Sequence, residues 1–138
     1  MLARELKRSI DRIDGLRNIF KQESIDGFYA KFSMPLVAKR QNEIQCAIKP
    51  IAFTQTEPGK MMEHSDTWVM RITRAAEENL LKIEDILFTI EVPESPTTGQ
   101  KKVIDTIKKT MDAKKINHIP ASNHKDTIEF AKKILLES

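Results

Sequence analysis

The sequence predicts a single α/β domain over residues 1–138, with an α+β arrangement as the alternative. Three observations predict this class. Apolar residues recur at helical spacing near both ends, alternate in the second quarter, and form an almost continuous run over 86–92. Such a run is typical of a strand covered on both faces, and the strand–helix–strand order after it favours a parallel crossover. We therefore expect a mixed sheet of about four strands with helices on both faces, in the order α-β-β-α-β-α-β-α.

The first third of the chain predicts a helix followed by a hairpin. Apolar residues at steps of three and four predict a first helix that ends near Lys21, with a turn at 25–27. Alternating apolar residues over 28–36 and 44–48 predict two strands joined by the polar segment 38–42. Both strands would then have one buried face.

The second strand and the helix after it carry two further signals. Pro50 has no backbone N–H, which indicates a bulge or an edge position. A loop is expected over 55–64, and Ser65 or Asp66 is expected to cap the next helix. Later in the chain, 116–119 predicts a short strand.

Charge and cysteine content limit the class of function. The formal net charge is +3. Residues 1–21 hold six Lys and Arg against three acids and residues 100–138 hold nine against five, whereas residues 22–99 hold eight against twelve. Basic ends can attract a polyanion, but they can also dock on the acidic part of the same fold or of a second copy. The one cysteine, Cys46, excludes an internal disulfide and is expected to be buried.

No targeting or membrane segment is predicted. No stretch approaches the roughly 20 apolar residues that span a bilayer. Glu5, Arg8 and Asp11 interrupt the N-terminus, so it has no apolar stretch of signal-peptide length. We expect a cytoplasmic protein with no membrane partner.

Two loops form the candidate active site. Ligands of open α/β sheets collect beyond the carboxyl ends of parallel strands, where the segments 93–100 and 120–124 are expected side by side. The candidate catalytic residues are His124 as general base, with Glu91 and Ser122 nearby. Ser122 has an alternative role as the N-cap of the last helix, which it shares with its neighbour Asn123.

The first of these loops leads into a helix that could hold a phosphate. Exposed amides and lysines in its first turn make Thr98, Lys101 and Lys102 candidate ligand-binding residues. The segment does not match the phosphate-loop pattern, because Gln100 separates Gly99 from the first lysine. A capped loop with solvated lysines is the alternative. We expect no metal, since the three histidines lack ligand spacing, and no cofactor.

Basic helix faces are the candidate nucleic-acid contacts. They comprise Arg4, Lys7, Arg8 and Arg12 on the first helix, and Lys108 and Lys109 on the third. Such faces can bind a phosphate backbone, although a solvated helix face has the same composition. Tyr29 is the one aromatic ring expected to be exposed, so stacking of unpaired bases has little support.

The predicted order of a helix, a β-hairpin, a helix and a further strand resembles the core of restriction-endonuclease-like nucleases. Those enzymes hold a divalent metal with an Asp on one strand and Glu-x-Lys or Asp-x-Lys on the next. The nearest match here is Ala47-Ile48-Lys49, in which Lys49 matches and Ala47 stands at the place of the acid. The preceding strand, 28–37, has no acid. The resemblance covers about half of the chain and implies a degenerate domain without the metal site.

The leading hypothesis is a small non-enzymatic binding or regulatory domain whose partner is nucleic acid or another protein. It depends on the basic ends, the acidic middle and the lack of an intact catalytic motif. The main alternative is a hydrolase or phosphate-ester enzyme that uses the loops 93–100 and 120–124. A third interpretation is an oligomerisation domain, in which the first helix and the strand with Pro50 pair with a second copy.

Overall fold

The computed structural model describes residues 2–137. No helix in this range is both long and apolar enough to cross a bilayer. A short 3₁₀ turn, Ile83–Asp85, precedes the fourth strand. The helices and strands are α1 (Leu2–Asp11), β1 (Lys21–Asp26), β2 (Lys31–Arg40), β3 (Glu43–Ala52), α2 (Pro58–Glu77), β4 (Ile86–Glu91), α3 (Thr98–Ala113), β5 (Asn117–Pro120) and α4 (His124–Leu135).

The strands form one mixed sheet in the order β1-β2-β3-β4-β5. Neighbours among β1, β2 and β3 are antiparallel, whereas β3, β4 and β5 are parallel. The predicted α/β class and the parallel pairing of the last two strands are confirmed. The sheet has five strands instead of about four. The additional strand, β1, has only Ile25 buried, so its sequence has no apolar alternation to indicate a strand.

A hydrophobic core lies on each face of the sheet. Side chains of α2 and α3, such as Ile72 and Ile107, pack on one face. Side chains of α1 and α4, such as Ile10 and Ala131, pack on the other. Residues 86–90 are all buried, so β4 is an interior strand covered on both faces, as its apolar run predicted.

The first helix is shorter than the sequence predicts. Beyond α1, the backbone N–H groups of Ile13, Leu16 and Ile19 each donate to the carbonyl three residues earlier. These turns keep the apolar side chains on one side, which is why their spacing is similar to that of a helix. Gly15 has φ of 89°, a left-handed conformation that ends an α-helix. The prediction of a helix to Lys21 is therefore wrong.

The turn between β1 and β2 carries two exposed aromatic side chains. Alternation predicts Phe28 on the buried face of a strand, but β2 begins only after it, and Phe28 is 92% exposed. Tyr29 beside it is 57% exposed, as expected. Further along β2, an extra residue between Met34 and Val37 forms a bulge. The bulge moves the following side chains to the opposite face, so the alternation over 28–36 does not lie on one side.

β3 lies in the middle of the sheet although it contains Pro50. Its ladder with β2 ends at the pair Leu36–Ile48, and its register with β4 continues through Pro50 without a shift. The predictions of an edge position and of a bulge there are therefore wrong. Pro50 is tolerated because its ladder with β2 has ended before this point, and Pro35 of β2 also lies beyond the end of that ladder. We term this opening between the two strands the sheet fork.

α2 begins earlier than predicted. Pro58 lies in its first turn, a position where proline needs no hydrogen-bond partner for its nitrogen. Ser65 is buried within the helix, so neither Ser65 nor Asp66 is the N-cap. The predicted loop over 55–64 is thus mostly helical.

Candidate functional site

The loops 93–100 and 120–124 lie at the same edge of the sheet, as predicted. Their strands are parallel neighbours, and the Ala121 N–H donates to the Ile90 carbonyl at 2.8 Å. However, five depressions on the surface of residues 2–137 are lined by other side chains, and neither loop contributes to them. The two loops are therefore neighbours as predicted, but none of these five depressions lies between them.

Polar groups of the first loop bind one another. Gln100 and Thr97 form a reciprocal cap: the Gln100 N–H donates to Thr97 Oγ1 at 3.1 Å, and the Thr97 N–H donates to Gln100 Oε1 at 2.9 Å. Gln100 Nε2 also donates to the carbonyl of Thr56 at 3.1 Å. The N-terminus of α3 is therefore capped from within the chain. The candidate ligand-binding residues stand exposed beside this cap: Thr98, Lys101 and Lys102.

The second loop is also satisfied internally. Asn123, not Ser122, caps α4, because Asn123 Oδ1 accepts the Asp126 N–H at 3.0 Å. The predicted capping role of Ser122 is therefore wrong, and its side chain is exposed. His124 Nδ1 lies 3.1 Å from Ser9 Oγ, which joins α4 to α1. This histidine thus has a structural contact within the fold.

The three candidate catalytic residues do not share a wall of any of these depressions: His124, Glu91 and Ser122. The hydrolase hypothesis expects a concave pocket where they meet. The structure therefore offers it no support beyond the shared edge.

The candidate nucleic-acid contacts are divided between the two faces of the sheet. Arg4 and Arg8 are on α1 and Lys108 and Lys109 are on α3, and these helices cover opposite faces. Arg12 lies just beyond α1, so the predicted row at four-residue spacing is shorter than expected.

Lys7, also on α1, is already paired with an acid. Its Nζ lies 2.6 Å from Asp11 Oδ2, so a phosphate would have to compete with that carboxylate.

Lys49, the residue that matches the nuclease pattern, lies on β3, and Ala47 two positions before it is buried. Among residues 2–137, no group of three His, Cys, Asp or Glu is placed to hold a metal ion. Lys49 instead lies in the sheet fork and faces Trp68 of α2.

Lys49, His64 and Arg71 gather on one side of the sheet fork; we term these three residues the cation cluster. Lys49 Nζ lies 4.3 Å from the centroid of the Trp68 ring, and Arg71 Cζ lies 4.8 Å from it. Arg71 Cζ is also 5.9 Å from the ring centroid of Phe32, which meets Trp68 edge to face. Cation–π attraction positions the two cations while leaving their positive charge in place.

The cation cluster contains no acid. Within the described residues 2–137, no carboxylate lies within ion-pair distance of its members. Burial, and then the charge of Arg71, lowers the pKa of Lys49. Burial, and then the charges of Lys49 and Arg71, lowers the pKa of His64. Lys49 and Arg71 repel each other and disfavour a proton on His64, and within the described chain no carboxylate lies within ion-pair distance to offset this repulsion. Most other lysines and arginines of residues 2–137 also lack a carboxylate within ion-pair distance, so what distinguishes the cluster is that two cations converge on one ring. The paired basic side chains are Lys7, Arg17, Lys39, Lys60, Arg74 and Lys132.

Sequence reasoning treated Lys49 only as part of the nuclease pattern and did not single out Arg71. Two local signals do point to the cation cluster. Lys49 is a charge inside an otherwise apolar strand, and Trp68 and Arg71 are one helical turn apart. Only tertiary packing shows that the two charges converge without a carboxylate.

Comparison with models of known families, with curated proteins and with solved structures gave no match to this chain. Its function is therefore inferred from its own residues.

Proposed function

We propose that this chain is a non-enzymatic nucleic-acid-binding domain in which Lys49 and Arg71 contact phosphate. The observation that carries the proposal is the cation cluster: half-buried Lys49 and exposed Arg71 lie on the same Trp68 ring, without a carboxylate partner in residues 2–137. Folding brings like charges together there, and a bound polyanion would relieve the repulsion.

The geometry supports phosphate contacts in particular. Arg71 is exposed beside the sheet fork, so its guanidinium can present several hydrogen-bond donors to one phosphate. Lys49 is half-buried in the sheet fork and supplies a second positive charge, deeper than the Arg71 guanidinium. Exposed Lys31 on β2 lies beside Arg71 in a shallow depression of about 300 Å³, which extends the basic surface.

The charge of this surface favours nucleic acid over a protein partner, the other option that the sequence left open. A protein partner would need an acidic patch that matches the cluster, whereas any nucleic acid presents a regular row of phosphates. A cytoplasmic location, which the sequence predicts, would give the domain access to RNA.

Fluorescence anisotropy with labelled DNA and RNA of about 15 nucleotides tests the proposal. The test variant is Lys49→Met/Arg71→Ala, and the matched control is Arg4→Ala/Arg8→Ala, which removes the same charge from the outer side of α1. We expect micromolar binding by the wild type at about 50 mM salt that weakens steeply by about 200 mM.

The test variant should lose about tenfold or more in affinity, and the slope of log K against log salt should become shallower by roughly 1.5. The control should lose less than about threefold. Equal losses in both variants would indicate nonspecific attraction to net charge. No binding of DNA or RNA by the wild type at micromolar concentration would contradict the proposed function.

A further inference from the structure

The turn between β1 and β2 presents two aromatic rings to solvent; we term Phe28 and Tyr29 the hairpin tip. Phe28 is 92% and Tyr29 57% exposed. The ring centroids are 6.3 Å apart and the ring planes are almost perpendicular, at 89°. Rings so exposed keep their faces accessible to a planar partner.

The backbone of the hairpin tip is held in place by Glu78, just beyond α2. Its carboxylate accepts the N–H groups of Phe28, Tyr29 and Ala30 at 2.5, 3.3 and 2.8 Å. Burial alone would raise the pKa of Glu78, but these hydrogen bonds and the charge of Lys31 lower it, so the carboxylate stays ionised at neutral pH.

Gly27 allows this close approach, because a Cβ there would collide with the Glu78 carboxylate and would lie 2.7 Å from Leu80 Cδ1. The exposed rings therefore stand on a fixed backbone, and little ordering is needed when they bind.

The hairpin tip and the cation cluster belong to one surface. Tyr29 and Arg71 line the same depression, together with Met70, which is 45% exposed. From Arg71 the surface continues over Trp68 to Lys49. Aromatic faces next to unpaired cations match a chain that alternates flat bases and phosphates.

We propose that this surface is selective for single-stranded nucleic acid, with unpaired bases stacked on the hairpin tip and phosphates on Lys49 and Arg71. The inference rests on the proposed function and specifies its substrate class. In a duplex the base faces are covered by neighbouring base pairs, so a duplex would contact the cations but not the rings. A protein partner that buried the same rings would also need acidic side chains placed to meet Lys49 and Arg71.

The experiment compares a labelled single strand of about 15 nucleotides with its duplex. The test variants are Phe28→Ala/Tyr29→Ala and Phe28→Leu/Tyr29→Leu, and the second keeps apolar bulk while it removes the rings. Val92→Ala, at another exposed apolar side chain, is the control. Circular dichroism and thermal melting of each variant show that the fold is retained.

We expect the wild type to bind the single strand at least about fivefold more tightly than the duplex. Both tip variants should lose about fivefold or more for the single strand and less than about twofold for the duplex, because stacking needs the ring. Val92→Ala should bind as the wild type does.

Other results overturn the inference in distinguishable ways. If Lys49→Met/Arg71→Ala weakens binding but the tip variants do not, the proposed function stands and single-strand selectivity fails. If only the alanine tip variant loses affinity, apolar bulk and not stacking is responsible. If the wild type binds no nucleic acid, both proposals fail, and a protein becomes the candidate partner of the hairpin tip.

Discussion

Two edges of this molecule both carry polar side chains, but they differ in how those side chains are used. Beyond β4 and β5, Thr97 and Gln100 cap each other, Asn123 caps α4, and His124 contacts Ser9. Around the sheet fork, by contrast, Lys49 and Arg71 share the ring of Trp68, and Arg71 also lies near the ring of Phe32. At the first edge the capping groups are hydrogen-bonded within the chain, whereas the second edge keeps positive charge without a carboxylate.

The difference separates stabilising residues from candidate binding residues. A polar group that is fully bonded within the fold contributes to stability, and its loss leaves its partner unsatisfied. A partly buried charge without a counter-ion destabilises the free protein and can gain a partner only from outside. Substitutions at the first edge should therefore lower stability without affecting binding, and substitutions of the fork cations should weaken binding without lowering stability.

The largest effect on stability is expected for Gln100→Ala. Its side chain bonds the Thr97 N–H and the Thr56 carbonyl, and the residue is buried. Losing both should cost about 2 kcal/mol, which lowers the melting temperature by roughly 5–10 °C. Differential scanning calorimetry measures the loss, with exposed Thr98→Ala as the control. A fall in the nucleic-acid affinity of the folded variant would contradict the assignment of this edge to stability and not to binding.

A smaller loss is expected where α1 meets α4. Ser9→Ala and His124→Ala should each destabilise the fold by about 1 kcal/mol, and the double variant should lose less than the sum, because both remove one hydrogen bond. Urea unfolding of the four proteins gives the coupling. A fully additive result would mean that the contact contributes nothing, and would return His124 to consideration as a catalytic base.

The smallest expected effect is the pH dependence of binding through His64. Burial and the charges of Lys49 and Arg71 keep the pKa of His64 below its ordinary value, so the ring is neutral in the free protein at pH 7. A phosphate beside it would raise that pKa, and binding would then take up a proton. Affinity should therefore increase by about three- to tenfold as the pH falls from about 7.5 to 5.5. His64→Gln should remove most of this dependence, and an unchanged slope in that variant would place His64 outside the interface.

Some features could be predicted from the sequence because local pattern determines them. The apolar run over 86–92 indicates a strand covered on both faces, which the structure confirms for 86–90 although Val92 is exposed, and Cys46 is buried as its alternating neighbours suggest. β1 was missed because its one buried residue, Ile25, gives no pattern. The first helix was overextended because turns of three residues keep the same apolar spacing as a helix.

The cation cluster could not be predicted in the same way. Lys49 comes from β3 and Arg71 from α2, and their proximity depends on how that helix packs on the sheet. Whether a carboxylate is also in reach is a tertiary property. The exposure of Phe28 likewise depends on Glu78, which is distant in sequence and holds the turn.

Chemical-shift mapping tests most directly whether the surface formed by the sheet fork and the hairpin tip is the binding surface. The ¹H–¹⁵N spectrum of the full chain would be recorded while a single strand of about 15 nucleotides is added. We expect the largest amide shifts in three segments, 27–33, 49–53 and 64–74, with the loops 93–100 and 120–124 almost unchanged. Shifts concentrated in those two loops, or spread evenly along α1 and α3, would contradict the account.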